Sequence, residues 1–568
     1  MPSYLDEMIK KSKEKKARDS PDSISSDKVK DELRKSLEAL KAKSNIESFR
    51  EVRPVVKSEA HALKAAIIPD KEKIDEDEKK SEFQKELESS EKILITSYGQ
   101  VKIYKIKGKS LLHYEVPVPQ ARTMERTIIN TIREAATRII SVAPYKIRDP
   151  EQRKNVYYQQ IMEILRSSPE LHIPEQKFDF YASAVVREMV GYGIIDPLTQ
   201  DDNLEEIMVI GPKKPVYVFH RDYEMMTTGI EFYSEQEIED LINKIARQVG
   251  RRIDQSNSLL DARLPDGSRV NATIPPSSVD GPSLTIRKFR KNPYSIIDLI
   301  KFNTVGSNIG AYLWVMAEGL GVMPANVLIS GGTGSGKTTL LNVMASFIPK
   351  KERIISIEDT AELNLPLEHF IRMEARPPGM EGTGEITMDI LTKNSLRMRP
   401  DRIIVGEVRH NEAYSLFTAM NTGHNGCFGT IHANSPQETI VRITSPPMNV
   451  PELMLAGLDI IIVMHRIHDK QKGTIRRITA VAELSGVLEK KAQTQTIFEW
   501  DPVKDELVET GIPSIFMRKL EKFTGLSRME IEREVNKRKK FLEELARESI
   551  TNNKVISDRI NDYYIENK

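Results

Sequence analysis

Gly331-Gly-Thr-Gly-Ser-Gly-Lys-Thr338, preceded by Asn326-Val-Leu-Ile-Ser330 and followed by Thr339-Leu-Leu-Asn-Val-Met-Ala345, decides how this chain folds. The octapeptide fits G-x-x-x-x-G-K-[ST]. The run before it has the short apolar character of a buried strand, and the run after it carries apolar residues at helical spacing, which is the context the motif requires. Gly331, Gly332, Gly334 and Gly336, with Thr333 and Ser335 between them, let backbone N–H groups turn inward around phosphates, and the helix N-terminus adds partial positive charge. Lys337 can reach β and γ phosphates and Thr338 can ligate Mg²⁺. Thr339 opens the helix and is grouped with them as nucleotide-binding. The stretch reads as a phosphate-binding loop, and because the chain has no guanine-reading Asn-Lys-x-Asp motif the expected nucleotide is ATP, with Mg²⁺.

Open α/β sheets place ligands beyond the carboxyl ends of their strands. Three other apolar runs end in groups able to act there. Ile354-Ile-Ser-Ile357 leads to Glu358-Asp-Thr-Ala-Glu362, Arg402-Ile-Ile-Val405 to Gly406-Glu407-Val-Arg409, and Phe428-Gly429 to Thr430-Ile-His432. A site built on a phosphate loop needs one carboxylate near Mg²⁺, another to orient the attacking water, and a polar group near the γ-phosphate. The three strand ends supply these types.

The 568 residues exceed what one core can organise and predict several domains. Lys and Arg total 84 against 83 Asp and Glu, a formal net charge of +1, so no global basic excess calls for nucleic acid. The single cysteine, Cys427, excludes an intramolecular disulfide framework and any cysteine-cluster zinc site. It reads as a buried core thiol at the start of an apolar strand. Neither a signal peptide nor a membrane span is expected, because the apolar stretch from Leu453 to Met464 is short and interrupted by Gly457 and Asp459.

Five regions follow from the pattern. Residues 1–90, dense in charge and poor in aromatics, predict a disordered tail with transient helix. Residues 91–197 predict a strand pair, Lys92 to Thr96 and Val101 to Ile106, and then helices. Residues 198–292 predict a small α+β domain whose Pro265-Asp-Gly267 turn joins two short strands. Residues 293–511 alternate helices with apolar strands, as in a parallel sheet covered on both faces. Residues 512–568 predict a helical tail, with Ser527 and Glu530 as a capping box.

Taken together, Gly331 to Thr338, Glu358 to Glu362, Arg402 to Glu407 and Thr422 to Ala433 resemble the Walker A, Asp-box, atypical Walker B and His-box motifs of the type II/type IV secretion ATPase superfamily. Asp359-Thr360 and Ser445-Pro-Pro-Met-Asn-Val-Pro451 resemble most its archaeal branch, the motors of the archaellum and of type IV-like pili. The resemblance implies an α/β fold, with a RecA-like P-loop ATPase domain of mostly parallel sheet preceded by a smaller α+β domain and a helical or disordered N-terminal region. It implies that Glu362 polarises the attacking water, with Glu358 the alternative within that box, that Glu407 positions Mg²⁺ with Thr338, and that His432 lies near the γ-phosphate, with His424 a second, weaker candidate. One or more of Arg263, Arg269 and Arg287, on short strands of the preceding domain, would close on the nucleotide. It further implies a homo-oligomer, a hexamer, working in the cytoplasm against a polytopic membrane platform protein of a filament apparatus. A nucleic-acid translocase or helicase is the alternative, and the basic run Arg287-Lys-Phe-Arg-Lys291 is its strongest argument. Lys337, Glu362 and Glu407 together weigh against a nonenzymatic regulator.

Overall fold

The computed structural model describes residues 82–118, 123–140, 149–168, 173–290, 292–378, 383–469, 472–488 and 491–566. The tail expected over 1–90 falls outside these residues except at its end, where Glu82–Ser89 is a helix. The chain divides into two compact units. In the first, the helices Thr123–Ile139, Pro150–Ser167 and Phe178–Met189 share a core that includes Ile132, Tyr157, Ile161 and Val185. Asp149 caps Pro150–Ser167 by accepting from the Gln152 N–H at 2.7 Å, and Pro150 stands at the first turn, where no N–H is missed.

The second unit holds two nine-stranded sheets. One comprises β1 (Lys92–Tyr98), β2 (Val101–Ile106), β3 (Leu112–Glu115), β4 (Leu204–Val209), β5 (Pro215–His220), β6 (Glu224–Glu231), β7 (Leu259–Arg263), β8 (Arg269–Thr273) and β9 (Ser283–Arg287). Their order is β1-β2-β3-β6-β5-β4-β9-β8-β7. The strands near residue 100 thus extend the same sheet as those after residue 203, through a parallel β3–β6 pairing that spacing along the chain could not reveal. The helix Glu235–Gln248 buries Ile238, Leu241, Ile242 and Ile245 in the core that also takes Ile207, Val216, Val218 and Ile286.

The other sheet begins with β10 (Val327–Gly331), β11 (Ile354–Glu358), β12 (Phe370–Glu374), β13 (Arg402–Val405), β14 (Phe428–Ile431) and β15 (Ile460–Asp469). Their order is β12-β11-β13-β14-β10-β15, parallel throughout. Side chains alternate across a strand, so continuous apolar runs must feed two cores. Val327, Ile329, Ile460 and Ile462 pack on one side, while Leu328, Ile461 and Val463 pack on the other. This is the α/β, RecA-like architecture with the phosphate loop leaving a central strand. Antiparallel strands β16 (Gly473–Leu488), β17 (Lys491–Asp501) and β18 (Glu506–Glu509) then widen it from β15.

The helices Ile515–Thr524, Arg528–Arg547 and Asn553–Glu566 bury Phe516, Leu520, Leu542, Ile556 and Ile560 in the first of those two cores. Ser527 and Glu530 form the capping box. The C-terminal helices are therefore part of the core rather than a charged appendage. Arg538, buried and bonded to Glu318 at 2.7 Å, lies over the Trp314 ring.

Candidate active site

The site is built at the carboxyl edge of the parallel strands. β10 delivers Gly331, and Ser330 is tied to the loop after β14: its hydroxyl donates to the Ala433 carbonyl at 2.7 Å and accepts from Thr439 at 2.9 Å. Gly336 enters the helix Lys337–Ala345 at φ 98°, a conformation that side chains disfavour. Lys337 Nζ donates to the Gly331 and Gly332 carbonyls at 2.8 and 2.9 Å, which holds the amine within the loop. Burial pushes its pKa down, and the nearby Glu407 charge opposes that shift. Ser335 donates to the Gly332 carbonyl at 2.9 Å, and Thr338 and Thr339 stand half-buried in the first helical turn.

Glu407 leaves the end of β13. Oε2 accepts from Arg409 Nη2 at 2.7 Å, and Oε1 lies 3.0 Å from His432 Nε2, outside aligned hydrogen-bond geometry. Burial pushes this carboxyl up, but the Arg409 hydrogen bond and the charges of Arg409 and Lys337 outweigh it, so it is held below its ordinary value. His432 is pushed down by burial and by Lys337, which favours the neutral imidazole at neutral pH. Gly406 has to be small, because a Cβ there would come 2.8 Å from Glu358 Cγ.

Glu358 and Glu362, four residues apart, have different surroundings. Glu358 is buried, and its Oε2 accepts from the backbone N–H groups of Glu362 and Leu363 at 2.7 and 2.9 Å, while Ser356 donates to Oε1 at 3.2 Å. Its carboxylate cradles the loop that presents Glu362. Burial pushes its pKa up against those hydrogen bonds. Glu362 is partly exposed, and its Oε1 lies 3.3 Å from Arg269 Nη1.

The three arginines occupy one row. Arg263 is paired with Arg269 across β7–β8, and Arg269 with Arg287 across β8–β9, so all three project from one face. Like charges so aligned repel, and carboxylates offset them. Arg263 meets Glu374 at 3.1 Å, Arg269 meets Glu362 at 3.3 Å, and Arg287 lies 3.9 Å from Glu206. Two of the three thus reach carboxylates of the parallel sheet, whereas Arg287 is exposed beside a neighbour on its own sheet.

His424 stands apart. It precedes β14 while His432 follows it, which puts His424 at the amino edge of the sheet, away from the loop. Its carbonyl accepts from Cys427 Sγ at 3.2 Å, and burial pushes that thiol up to about 12. Of the run Arg287 to Lys291, Arg287 is exposed with Glu206 3.9 Å away, and Lys291 lies outside the described residues. Lys288 turns inward to the Leu198 and Asp201 carbonyls and is pushed down to about 8 by burial; Phe289 packs near Arg372, and Arg290 sits 3.3 Å over the Tyr294 ring.

Four residues that sequence reasoning passed over also belong to this region. Arg409 follows β13 and stood in the stretch quoted from that strand end without a role of its own, whereas Glu374 is the last residue of β12, a strand the sequence pattern did not reveal. Arg466 and Arg476 reach the loop through the β15–β16 ladder, which leaves no local mark in the sequence.

A divalent cation fits this donor set. Mg²⁺ takes one or two protein oxygens and keeps waters and phosphates as its other ligands. Glu407 Oε1 is buried and accepts no hydrogen bond among the described residues, and Thr338 supplies a hydroxyl beside Lys337.

Residues 188–502 match the family described as type II/IV secretion system protein. An uncharacterized protein of Methanocaldococcus jannaschii is 34% identical over 548 residues, covering 66% of this chain and 75% of its own. The type IV secretion system protein VirB11 of Bartonella henselae is 28% identical over 330 residues, covering 49% of this chain and 89% of its own. The solved VirB11 ATPase from the Brucella suis type IV secretion system, in complex with sulphate, covers 50% of this chain and 94% of its own at 24% identity with TM-score 0.26. With more than half its length matched, this chain belongs to the type II/IV secretion system protein family.

Proposed function

We propose that the chain is a Mg²⁺-dependent ATPase that couples hydrolysis of ATP to ADP and phosphate to mechanical work at a secretion or pilus apparatus. The observation that carries the reading is the convergence at one sheet edge of Lys337 in its loop, Glu407 against Arg409 and His432, and Glu362 against Arg269. When bound, Mg²⁺ neutralises charge on the β and γ phosphate oxygens. Lys337 binds the terminal phosphates, Thr338 and Glu407 hold the metal side, and Glu362 orients the attacking water. Neutral His432 donates toward the γ-phosphate. Arg269 and Arg263 approach it from the antiparallel sheet, exchanging their carboxylate partners for phosphoryl oxygens as charge builds up.

The finer reading is a hexameric homo-oligomer that drives assembly or rotation of an archaeal type IV pilus-like filament, archaellum or pilus, or secretion. It works in the cytoplasm, held at the membrane by a polytopic platform protein. Among the described residues no helix is long and apolar enough to cross a membrane. Phosphate release from ATP tests the chemistry. Lys337→Ala should abolish turnover in a folded protein, and Glu362→Gln should keep ATP binding while slowing hydrolysis by about 10²-fold or more. Wild-type turnover in Lys337→Ala would remove the loop from the mechanism.

A further inference from the structure

β15 and β16 pair so that Arg466 stands directly opposite Arg476. Side chains at directly opposed positions share a face, so this register sets two guanidinium groups side by side, which is destabilising unless negative charge lies near. Both reach the phosphate loop. Arg476 Nε donates to the Gly334 carbonyl at 2.9 Å, and its Cδ lies 3.5 Å from where a Cβ on Gly336 would project. Arg466 Nη1 lies 3.6 Å from the equivalent point on Gly334, so the bare glycines let both arginines close on the loop. The negative charge within reach is scant. Among the described residues Arg466 has Glu224 at 3.9 Å, with both side chains about half exposed, and such a pair contributes little in water. Arg476 spends only Nε on the loop carbonyl and keeps both Nη groups for an anion. Two exposed guanidiniums next to inward-turned amides suit phosphoryl oxygens, which they can grip with two donors each.

We propose that Arg466 and Arg476 are binding residues for the polyphosphate of a nucleoside triphosphate, gripping it from the β15–β16 side of the loop and replacing Glu224 as the partner of Arg466. The inference rests on the ATP site proposed above and adds two ligands that none of its four sequence motifs contains.

The test is competition of ATP, and separately of inorganic tripolyphosphate, against a fluorescent ADP analogue on the full chain, comparing wild type with Arg466→Gln and Arg476→Gln. Arg466 makes no hydrogen bond to the loop among the described residues, so Arg466→Gln removes charge without altering loop geometry. Each variant should weaken both competitors by about tenfold, the effect expected for losing a charge-assisted hydrogen bond, and Arg466→Gln should do so without lowering the unliganded melting temperature. Unchanged affinities overturn the proposal. So does weakening of ATP alone, which would place the arginines on the base or ribose. A wild-type chain that binds neither ATP nor tripolyphosphate refutes the nucleotide site itself and the inference with it, whereas wild-type binding with unaffected variants refutes the inference alone.

Discussion

Replacing Arg269 with Gln separates a resting ion pair from a group that acts in the reaction. In the structure Arg269 Nη1 lies 3.3 Å from Glu362 Oε1, with the two side chains 33% and 31% exposed. Coulomb's law gives about 5 kcal/mol for such a pair at an effective dielectric of 20 and about 1 kcal/mol in water. Solvent screening and the side-chain entropy of an exposed pair leave under about 1 kcal/mol. Loss of the pair should therefore lower the melting temperature by only about 1 °C. A preorganised donor aimed at charge that develops in the transition state is worth far more, and its removal costs about 10²–10³-fold in turnover. We expect Arg269→Gln to show that slowing at saturating ATP with a nearly unchanged melt. Steady-state phosphate release and thermal unfolding, repeated on Glu362→Gln and the double variant, complete a cycle. Coupling in stability should stay near 0.5–1 kcal/mol, and the double variant should turn over little more slowly than the worse single one. Turnover of Arg269→Gln within threefold of wild type would refute the reasoning and leave Arg269 as a surface ion pair.

Glu358→Gln exchanges two charge-assisted amide contacts for neutral ones, a loss of about 1–2 kcal/mol. It should slow phosphate release less than Glu362→Gln does, and the reverse order would make Glu358 the water-orienting carboxylate. His113 is buried, and desolvation holds its pKa down to about 4 against an ordinary 6.5. A depressed folded value means stability that is complete above about pH 6.5 and is lost as pH falls toward 4, about 3 kcal/mol in all. Denaturant titrations at pH 7 and pH 5 should show a drop that His113→Asn reduces, and an equal drop in the variant would exclude His113 as the source. Arg538→Ala strips the buried Glu318 of its partner and should cost about 3–5 kcal/mol. Denaturant unfolding measures it, and a loss under 1 kcal/mol would mean that Glu318 takes up a proton or water at no cost.

Much of the candidate site was legible because each piece is local. A phosphate loop is a contiguous run, and an apolar strand followed within a few residues by Glu362, Glu407 or His432 announces which sheet edge they share. Other readings needed the fold. In the basic run Arg287 to Lys291, the strongest argument for the nucleic-acid alternative, Lys288 turns inward and Arg290 lies on Tyr294, while Arg287 stays exposed. His424, the weaker of the two histidine candidates, is parted from His432 by β14, since a strand's two ends face opposite edges of the sheet.

The sequence by itself determined the phosphate loop, the parallel sheet and the carboxylates that end its strands, because hydrophobic period and turn residues act within a few positions of one another. Only the tertiary structure decided which partner each charge meets. The single row made by Arg263, Arg269 and Arg287 and the pairing of Arg466 with Arg476 depend on strand register, and the meetings of Arg269 with Glu362 and of Arg476 with Gly334 join residues 93 and 142 positions apart. Register is set when whole faces are buried together, so its consequences for side-chain pairing are written in no single stretch of the chain.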